Sequence, residues 1–232
     1  EEQVQRAERL AAIGRLAAGV AHEIRNPLSS IRGFAYLLGK GHAEPSPERE
    51  YADTMVREID RINRVVSNLL NFARPIALEP EDVCLTDLID HVVTLVSADT
   101  KAQGIDIHVR SEPDRLRLFA DPNQLTQAIL NLTLNAIQAL DDGGTIDVRA
   151  VRHAPEEGVA IVMEDNGPGI PPELQDKIFE PFTTTRERGT GLGLAMVRKI
   201  TENHNGGIRM ESPPPGKTHG TRFTLLLKDV ER

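Results

Sequence analysis

The sequence predicts an α-helical hairpin that dimerises into a four-helix bundle, followed by an α+β sandwich domain. Two patterns predict this fold class. In residues 1–74, apolar side chains recur every three or four positions, which is the period of an amphipathic helix. In residues 83–232, short segments with alternating apolar and polar residues lie between helical segments, as expected for a sheet covered by helices. Residues 75–82 would then link the two domains.

The first domain contains two apolar stripes, one on each predicted helix. The first stripe consists of Leu10, Ile13, Ala17, Val20, Ile24, Leu28, Ile31, Ala35 and Leu38, and the second of Met55, Ile59, Ile62, Val66, Leu69 and Ala73. The segment GKGHAEPSPE separates them and predicts the turn of a hairpin. Two helices bury such stripes poorly, so we expect a homodimer with a four-helix core. The alternative is a monomeric hairpin packed on the second domain.

The second domain alternates between predicted helices and strands, after Pro75 and Pro80 have ended the hairpin. The expected elements, in chain order, are a helix from the N-cap Thr86 to about Thr100, the strands IDIHVR and RLRLFA, a helix from Asp121-Pro122 to about Leu140, the hairpin strands GTIDVRAV and VAIVMED, a helix from about Leu192 to Asn203, and the strands GIRME and TRFTLLLK. The Asp-Pro pair has the chemistry of a helix start, because aspartate caps the first amides and proline fits the first turn. The strands predict a mainly antiparallel sheet.

Charge is unevenly distributed along the chain. Residues 1–74 carry 11 Lys or Arg against 10 Asp or Glu, a net charge of +1, whereas residues 75–232 carry 16 against 25, a net charge of −9. The second domain therefore has no broad basic surface for a nucleic-acid backbone, and no nucleic-acid partner is expected. A phosphate ligand there would need a metal ion and backbone amides. The single cysteine, Cys84, excludes an internal disulfide and is typical of a reducing compartment.

One histidine lies off the apolar stripe of the first helix. His22 is two residues from both Val20 and Ile24, which places it about 200° around the helix from them. We therefore expect its imidazole to face solvent, where a neutral ring nitrogen is nucleophilic near physiological pH. Glu23 could accept a hydrogen bond from Nδ1, and Asn26, one turn further on, could hold a water near Nε2. Taken alone, an exposed helical histidine is more commonly ordinary solvated surface.

Two glycine-rich loops indicate a nucleotide site in the second domain. The segment DNGPGI follows a predicted strand, so Asp165 stands at the strand end, and Gly167 and Gly169 let a ligand approach the backbone. The segment GTGLGLAMVRKI runs into a helix whose first amides favour phosphate. Either loop alone is weak evidence, because such glycines are often only tight turns. Two such loops in one small domain favour a nucleotide-binding site.

Polar residues near these loops suit a bound phosphate chain. Asn131 and Asn135 lie four residues apart and share one helix face, where amide oxygens could bind a hard cation such as Mg²⁺. Arg186 and Arg188 lie in the segment FEPFTTTRERGT, beside the second glycine loop, and offer positive charge. For each of these residues the alternative is an ordinary solvated surface position.

Five motifs, in this order along the chain, resemble those of the catalytic core of sensor histidine kinases. HEIRNPL resembles the phosphoacceptor box, NLTLN the asparagine box, DNGPG the first glycine box, FEPF the phenylalanine box and GTGLGL the second glycine box. The resemblance covers essentially the whole chain and implies the GHKL, or Bergerat, type of ATP-binding fold. The short segment TTTRERG is similar to that of the nitrogen-regulation and zinc-resistance-associated sensor kinases.

The resemblance implies roles for three residues of the first helix. His22 would accept the γ-phosphoryl group of ATP, and Glu23 would orient it or act as a base. Asn26 would position a water that removes phosphate from the aspartate of the partner. The implied activity is autophosphorylation, phosphoryl transfer to a response regulator, and phosphatase activity toward the phosphorylated regulator. Pro75 and a kink at Pro27 would let the domains move.

The resemblance also implies a binding site for ATP and Mg²⁺. Asn135 would bind Mg²⁺ with the assistance of Asn131, and Asp165 would bind the adenine amino group. The remaining ATP-binding residues would be Gly167, Gly169, Arg186, Gly189, Thr190, Gly191, Leu192 and Gly193. Arg186 stands where related kinases commonly have Lys, and the two are not equivalent donors. Gln138 stands where some relatives carry a basic residue, which argues against a cationic phosphate contact from that helix.

The implied partner is the receiver domain of a response regulator, of the sigma-54 activator type. No apolar run approaches the roughly 20 residues that span a bilayer, and the chain begins with Glu1 rather than methionine. We therefore expect a cytoplasmic portion of a protein whose inner-membrane anchor lies upstream. Two alternatives remain open. One is an ATPase related to gyrase, chaperone and mismatch-repair proteins, which lack the histidine-bearing hairpin. The other is a nucleotide-binding scaffold without catalysis.

Overall fold

The computed structural model describes residues 24, 26–42, 46–73, 78–140, 143–153, 158–184, 186 and 189–229. It divides the chain into two compact units, Glu1–Ile76 and Ala77–Arg232. The boundary between the units falls within the segment 75–82 that the sequence marks as a linker. In the part of the chain described, no helix is both long and apolar enough to cross a membrane.

The first unit contains a helical hairpin, as predicted. Its helices are α1, over residues 26–40, and α2, Pro47–Ala73. Ser46 acts as the N-cap of α2, because its hydroxyl accepts a hydrogen bond from the Arg49 amide at 3.2 Å. Across the turn, Arg49 Nη1 donates to the Gly39 carbonyl oxygen at 2.9 Å. Further along, Arg32 of α1 and Asp60 of α2 form an exposed ion pair at 3.5 Å.

The hairpin covers only part of its two apolar stripes. Leu28, Ala35, Ile59 and Val66 of these stripes are buried, and so is Ala52 of α2. The exposed apolar members are Ile24, Ile31, Leu38, Met55 and Ile62. An amphipathic helix normally turns its apolar stripe toward a core, so these exposed members of the stripes lack the cover that such a stripe normally has. The exposed stripe therefore supports the expectation that further protein surface completes the hairpin.

The second unit is built on a five-stranded sheet with a small two-stranded sheet beside it. The strands are β1 (Glu81–Cys84), β2 (Ile105–Glu112), β3 (Arg117–Ala120), β4 (Gly144–His153), β5 (Gly158–Asp165), β6 (Gly207–Glu211) and β7 (Thr221–Leu227). The large sheet has the order β2-β4-β5-β7-β6, and β1 pairs with β3. Among the strands of the described residues, β2 and β4 pair in parallel and the other neighbouring pairs are antiparallel. The prediction of a mainly antiparallel sheet is confirmed.

Helices cover one face of the large sheet. They are α3 (Leu85–Gln103), α4 (Pro122–Ile137), the short α5 (Pro172–Gln175) and α6 (Gly193–Asn203), of which α3, α4 and α6 form the covering layer. On the covered face, strand register places Val148, Met163 and Phe223 side by side. The Thr133 hydroxyl of α4 donates to the Ile129 carbonyl oxygen at 2.8 Å and lies 3.9 Å from the Met163 sulfur. The core between the layers is largely aliphatic, and the α+β sandwich is confirmed.

A buried polar joint connects the start of α4 to the end of α6. As predicted, Asp121 caps α4, and its carboxylate accepts hydrogen bonds from the amides of Asn123 and Gln124 at 2.9 and 3.0 Å. The Asp121 amide donates to Nε2 of the fully buried His204 at 3.1 Å. Since Nε2 accepts, Nδ1 carries the proton and donates to the Ile200 carbonyl oxygen at 2.8 Å. This joint holds together the two helices that carry the motifs resembling the asparagine and second glycine boxes.

Three features of the second unit differ from the predictions. Thr86 was expected to cap a helix, but α3 begins at Leu85, and its N-cap is Cys84 without a side-chain cap. The reason is that β1 runs directly into α3, and the Leu85 amide donates to the Leu116 carbonyl oxygen at 2.9 Å instead. The segment Glu81–Cys84, partly assigned to the linker, is strand β1. Helix α5 was not predicted.

Candidate functional site

A buried carboxylate at the end of β5 forms one end of the site. Asp165 is the last residue of the strand, as predicted, and only 6% of its surface is exposed. It lies on the same sheet face as Met163, toward the covering helices. Its Oδ1 accepts a hydrogen bond from the Gly167 amide at 2.9 Å. The carboxylate is therefore oriented by the first glycine loop itself.

The surroundings of Asp165 change its proton affinity. Burial raises the pKa of Asp165 above its ordinary value of 3.8, while hydrogen bonds from the Gly167 and Thr221 amides oppose this rise. The neighbouring Glu164 adds to it, and the charge of Arg186 lowers it. A raised pKa means that the folded protein tolerates ionised Asp165 at some loss of stability. Such a group is typical of a binding site, where a ligand donor can stabilise the charge.

The first glycine loop is tied to the end of β6. Gly169 has φ of +88°, a left-handed conformation that suits glycine. A β carbon at this position would collide with the Ser212 hydroxyl. The Ser212 hydroxyl accepts from the Ile170 amide at 2.7 Å and donates to the Gly220 carbonyl oxygen at 3.0 Å. These bonds make the loop that follows Asp165 a defined wall of the site.

The second glycine loop leads into α6. This helix begins at Gly193, as predicted, so its first amides have no partners within the helix and suit an anionic ligand. Thr190 shapes the turn, because its hydroxyl accepts from the Leu192 amide at 3.3 Å. The Gly191 carbonyl oxygen accepts from the Phe182 amide at 3.0 Å, which joins this loop to the FEPF segment.

The two asparagines of α4 lie beside the second glycine loop. The Asn131 amide nitrogen donates to the Gly193 carbonyl oxygen at 3.4 Å, so α4 contacts the start of α6 directly. Asn135, one turn further, is half-buried. In the residues described, no group of three or more His, Cys, Asp or Glu forms a metal site. The side-chain amide oxygens of Asn131 and Asn135 could hold a Mg²⁺ ion together with the phosphates of a nucleotide, since this cation takes oxygen ligands.

Arg186 reaches α4 from the segment before the second glycine loop. Its Nη1 donates to Gln138 Oε1 at 2.5 Å and its Nη2 donates to the Asn135 carbonyl oxygen at 3.2 Å. Arg186 thus contacts the backbone of Asn135, and its positive charge lowers the pKa of Asp165. The hydrogen bond between Gln138 and Arg186 was not predicted. The sequence indicated only that the exposed Gln138 stands where some relatives carry a basic side chain. Arg188 lies outside the described residues.

The three residues expected on the first helix are treated separately, because they belong to the other unit. His22 and Glu23 lie outside the described residues. Asn26 is described, and it is exposed in the first turn of α1, where its carbonyl oxygen accepts from the Ser30 hydroxyl at 3.4 Å. Pro27 follows it within the helical range, and Pro75 is outside the described part.

Comparison with known families matches both units. Residues 12–77 match the family described as "His Kinase A (phospho-acceptor) domain". Residues 120–231 match "Histidine kinase-, DNA gyrase B-, and HSP90-like ATPase". The chain is 44% identical over 229 residues to the sensor histidine kinase ZraS of Salmonella typhimurium. The matched region covers 99% of this chain and 48% of that protein. The chain therefore spans about half the length of this curated relative.

Solved structures of histidine kinases have the same fold. The catalytic domain of the histidine kinase ThkA is 34% identical, with a TM-score of 0.59, over 65% of this chain and 96% of that one. ThkA in complex with the response regulator TrrA is 32% identical, with a TM-score of 0.71, over 99% of this chain and 66% of that one. Full-length ShkA in complex with AMPPNP is 27% identical, with a TM-score of 0.78, over 92% of this chain and 45% of that one. The chain belongs to the sensor histidine kinases of two-component systems and comprises the phospho-acceptor hairpin and the ATP-binding domain of that family.

Proposed function

We propose that the chain is an ATP-dependent protein histidine kinase that phosphorylates itself on His22 and passes the phosphoryl group to an aspartate of a response regulator. The observation that carries this proposal is the buried Asp165, hydrogen-bonded to the first glycine loop, in a chain whose residues 12–77 match a phospho-acceptor domain. The complex of ShkA with AMPPNP supports a nucleotide in the second unit. The complex of ThkA with TrrA supports a response regulator as the partner.

The proposed site uses three groups of residues to bind ATP. Asp165 would accept a hydrogen bond from the adenine amino group, and the amides at the start of α6 would bind the phosphates. Asn135, assisted by Asn131, would provide amide oxygens for Mg²⁺. That ion would offset negative charge on the phosphates as the phosphoryl group is transferred. The rest of catalysis is then positioning of the γ-phosphorus against the acceptor.

The proposed reaction forms one bond and breaks one bond at the γ-phosphorus. His22 Nε2 would donate its lone pair to phosphorus, and the bond to the oxygen that bridges the β- and γ-phosphates would break, which leaves ADP. Glu23 would accept a hydrogen bond from the Nδ1–H group of His22. This bond favours the tautomer in which Nε2 is unprotonated and can attack. In the second step, an aspartate oxygen of the receiver domain would take the phosphoryl group from His22.

We further propose that two copies of the hairpin form a four-helix bundle. The exposed apolar residues of α1 and α2, including Ile24, Ile31 and Met55, support this assembly because a second copy would cover them.

The chain would act on the cytoplasmic side, where ATP is available. A regulator of the sigma-54 activator type and an inner-membrane anchor upstream stay predictions.

An assay with γ-labelled ATP tests the proposed activity. A histidine kinase keeps the label on the protein in an acid-labile form, because the phosphorus–nitrogen bond hydrolyses in acid. An ATPase of the gyrase or chaperone type releases all of the label as inorganic phosphate. A non-catalytic scaffold binds AMPPNP but neither keeps nor releases label. Only the first outcome agrees with the proposal, and the match of residues 12–77 to a phospho-acceptor domain favours it.

Phosphatase activity toward the regulator is a second proposal, and substitutions at Asn26 and Glu23 test it. Asn26 is exposed on α1, where its amide could align a water against a phospho-aspartate docked beside the hairpin. We expect Asn26→Ala to lose phosphatase activity while autophosphorylation falls little. We expect Glu23→Ala to slow autophosphorylation first. Both rates are measured on both variants with one purified regulator, and equal losses of both activities in Asn26→Ala would refute this division of roles.

The affinity for adenosine should depend on the protonation of Asp165. The ionised carboxylate accepts the adenine hydrogen bond more strongly than the neutral acid does, because its negative charge strengthens the bond. Burial raises the pKa of Asp165 above 3.8, the pKa of an ordinary aspartate. As the pH is lowered, we therefore expect adenosine affinity to fall at a higher pH than it would if Asp165 had that ordinary pKa. Asp165→Asn should remove this pH dependence and weaken adenosine binding by about 1.5–3 kcal/mol, the value of a hydrogen bond to a charged group.

Calorimetric titration at several pH values provides the measurement, and thermal unfolding provides the control. The variant should unfold no earlier than the wild type without nucleotide, since Asn removes a buried charge that opposes folding. If the wild type and Asp165→Asn bind adenosine equally at every pH, the base does not contact this carboxylate.

A further inference from the structure

Gln138 holds an arginine against the end of α4. It is the C-cap residue of the helix, and it is exposed. Its side-chain oxygen accepts from Arg186 Nη1 at 2.5 Å, while Arg186 Nη2 donates to the Asn135 carbonyl oxygen at 3.2 Å. The guanidinium thus makes two hydrogen bonds to the same helix end. Two bonds from one planar group fix its orientation more closely than one bond can.

The end of α4 is a favourable place for a cation. The last turn of the helix contains no basic residue of its own. The Asn135 carbonyl oxygen is among the last four of the helix, which have no amide partner within it and carry partial negative charge. Arg186 supplies the cation that the helix lacks. Both of the acceptors named are uncharged groups.

Arg186 is also joined to the second glycine loop. Its carbonyl oxygen accepts from the Gly189 amide at 3.1 Å, and its own amide donates to the Thr184 hydroxyl at 3.1 Å. One residue therefore connects the proposed phosphate loop to the proposed metal-binding helix. Its charge reaches the other end of the site as well. Burial raises the pKa of Asp165, and the positive charge of Arg186 is one of the influences that lower it.

We propose that Gln138 is a positioning residue that docks Arg186 beside Asn135, so that the cation serving the ATP phosphates at this helix comes from Arg186 and not from position 138. This proposal rests on the proposed function of the site. A lysine at position 138 would deliver a charge directly from α4. With glutamine there, the position of the positive charge depends on the hydrogen bond between Gln138 and Arg186, which are 48 positions apart. The loss of Gln138 should therefore affect phosphate binding and spare adenine binding.

A double-mutant cycle measures this coupling. We compare Gln138→Ala, Arg186→Ala and the double variant, using AMPPNP and adenosine as separate probes. Gln138→Ala is expected to weaken AMPPNP binding by roughly tenfold, as for a lost hydrogen bond to a charged group. The double variant should bind AMPPNP no more weakly than Arg186→Ala, because the two residues act together. In Gln138→Ala, adenosine affinity should change far less than AMPPNP affinity, and the midpoint of thermal unfolding should stay unchanged.

The chain offers a matched control and a rescue. Gln127→Ala makes the same substitution on α4 at a half-buried position remote from Arg186, and it should bind AMPPNP as the wild type does. The rescue variant combines Gln138→Lys with Arg186→Gln, which moves the charge from one residue to the other. It should recover most of the AMPPNP affinity and of the kcat/KM for autophosphorylation that Arg186→Gln loses. A residue that only stabilised the helix end would show no such recovery.

The outcomes separate this inference from the proposed function. If Gln138→Ala binds AMPPNP as tightly as the wild type while Arg186→Ala binds it weakly, Arg186 acts without docking and the inference is overturned. Additive losses in the double variant, or a rescue variant as weak as Arg186→Gln, overturn it as well. In each of these cases the wild type still binds AMPPNP and keeps acid-labile label. Failure of the proposed function would instead appear as a wild type that does neither.

Discussion

His22→Gln is expected to abolish retention of the γ-phosphoryl label while ATP binding stays intact. Glutamine has a similar reach and hydrogen-bonding capacity, but its amide nitrogen shares its lone pair with the carbonyl group and does not attack phosphorus. The residues proposed to bind ATP belong to Ala77–Arg232, whereas His22 belongs to Glu1–Ile76. His22 also lies off the predicted apolar stripe. The substitution should therefore leave AMPPNP affinity and dimerisation unchanged.

Another histidine of the same hairpin provides the control. His42 is exposed in the turn after α1, where its Nδ1 lies 2.8 Å from the Leu38 carbonyl oxygen. Glutamine can replace that hydrogen bond, so His42→Gln should keep label at the level of the wild type. Label is measured on denatured protein before and after mild acid. Label that persists on His22→Gln at the wild-type level would place the acceptor elsewhere among the seven histidines of the chain.

The features predicted correctly from the sequence depend on short-range chemistry. Asp121 and Pro122 start α4 through contacts that span three residues, so the dipeptide alone predicts the helix start. Asp165 could be placed at a strand end because the apolar run before it and the glycines after it are adjacent in sequence. The stripes of the hairpin are equally local, since helical periodicity repeats within four residues.

The features that were missed depend on distant partners. Strand β1 has four residues, and it exists because Val83 pairs with Leu118 on β3. That pairing also determines where α3 begins, so the helix start at Thr86 could not be read from local capping preferences. Gln138 and Arg186 are likewise far apart in sequence and meet at an exposed position. Neither residue type nor spacing predicts such a contact.

Gly191→Ala is expected to weaken AMPPNP binding by about two orders of magnitude, because both the conformation and the surroundings of Gly191 exclude a side chain. Its φ is +65°, which a residue with a β carbon rarely adopts. A β carbon there would lie 2.4 Å from the Phe182 carbonyl carbon and 2.7 Å from the Thr183 nitrogen. These are backbone atoms, so the second glycine loop would have to separate from the FEPF segment.

The same substitution at a position with open space separates this effect from a general intolerance of alanine. Gly207→Ala, in β6, meets no atom within 4 Å, and we expect AMPPNP affinity to match the wild type. Within the loop itself, a β carbon at Gly193 also meets no protein atom within 4 Å. The glycines of GTGLG are therefore not equivalent, and Gly191 is required by the packing of the loop against Phe182. Calorimetric titration gives the affinities, and circular dichroism confirms that the sheet is retained. If Gly191→Ala binds AMPPNP as the wild type does, the phosphates do not depend on the junction between Gly191 and Phe182.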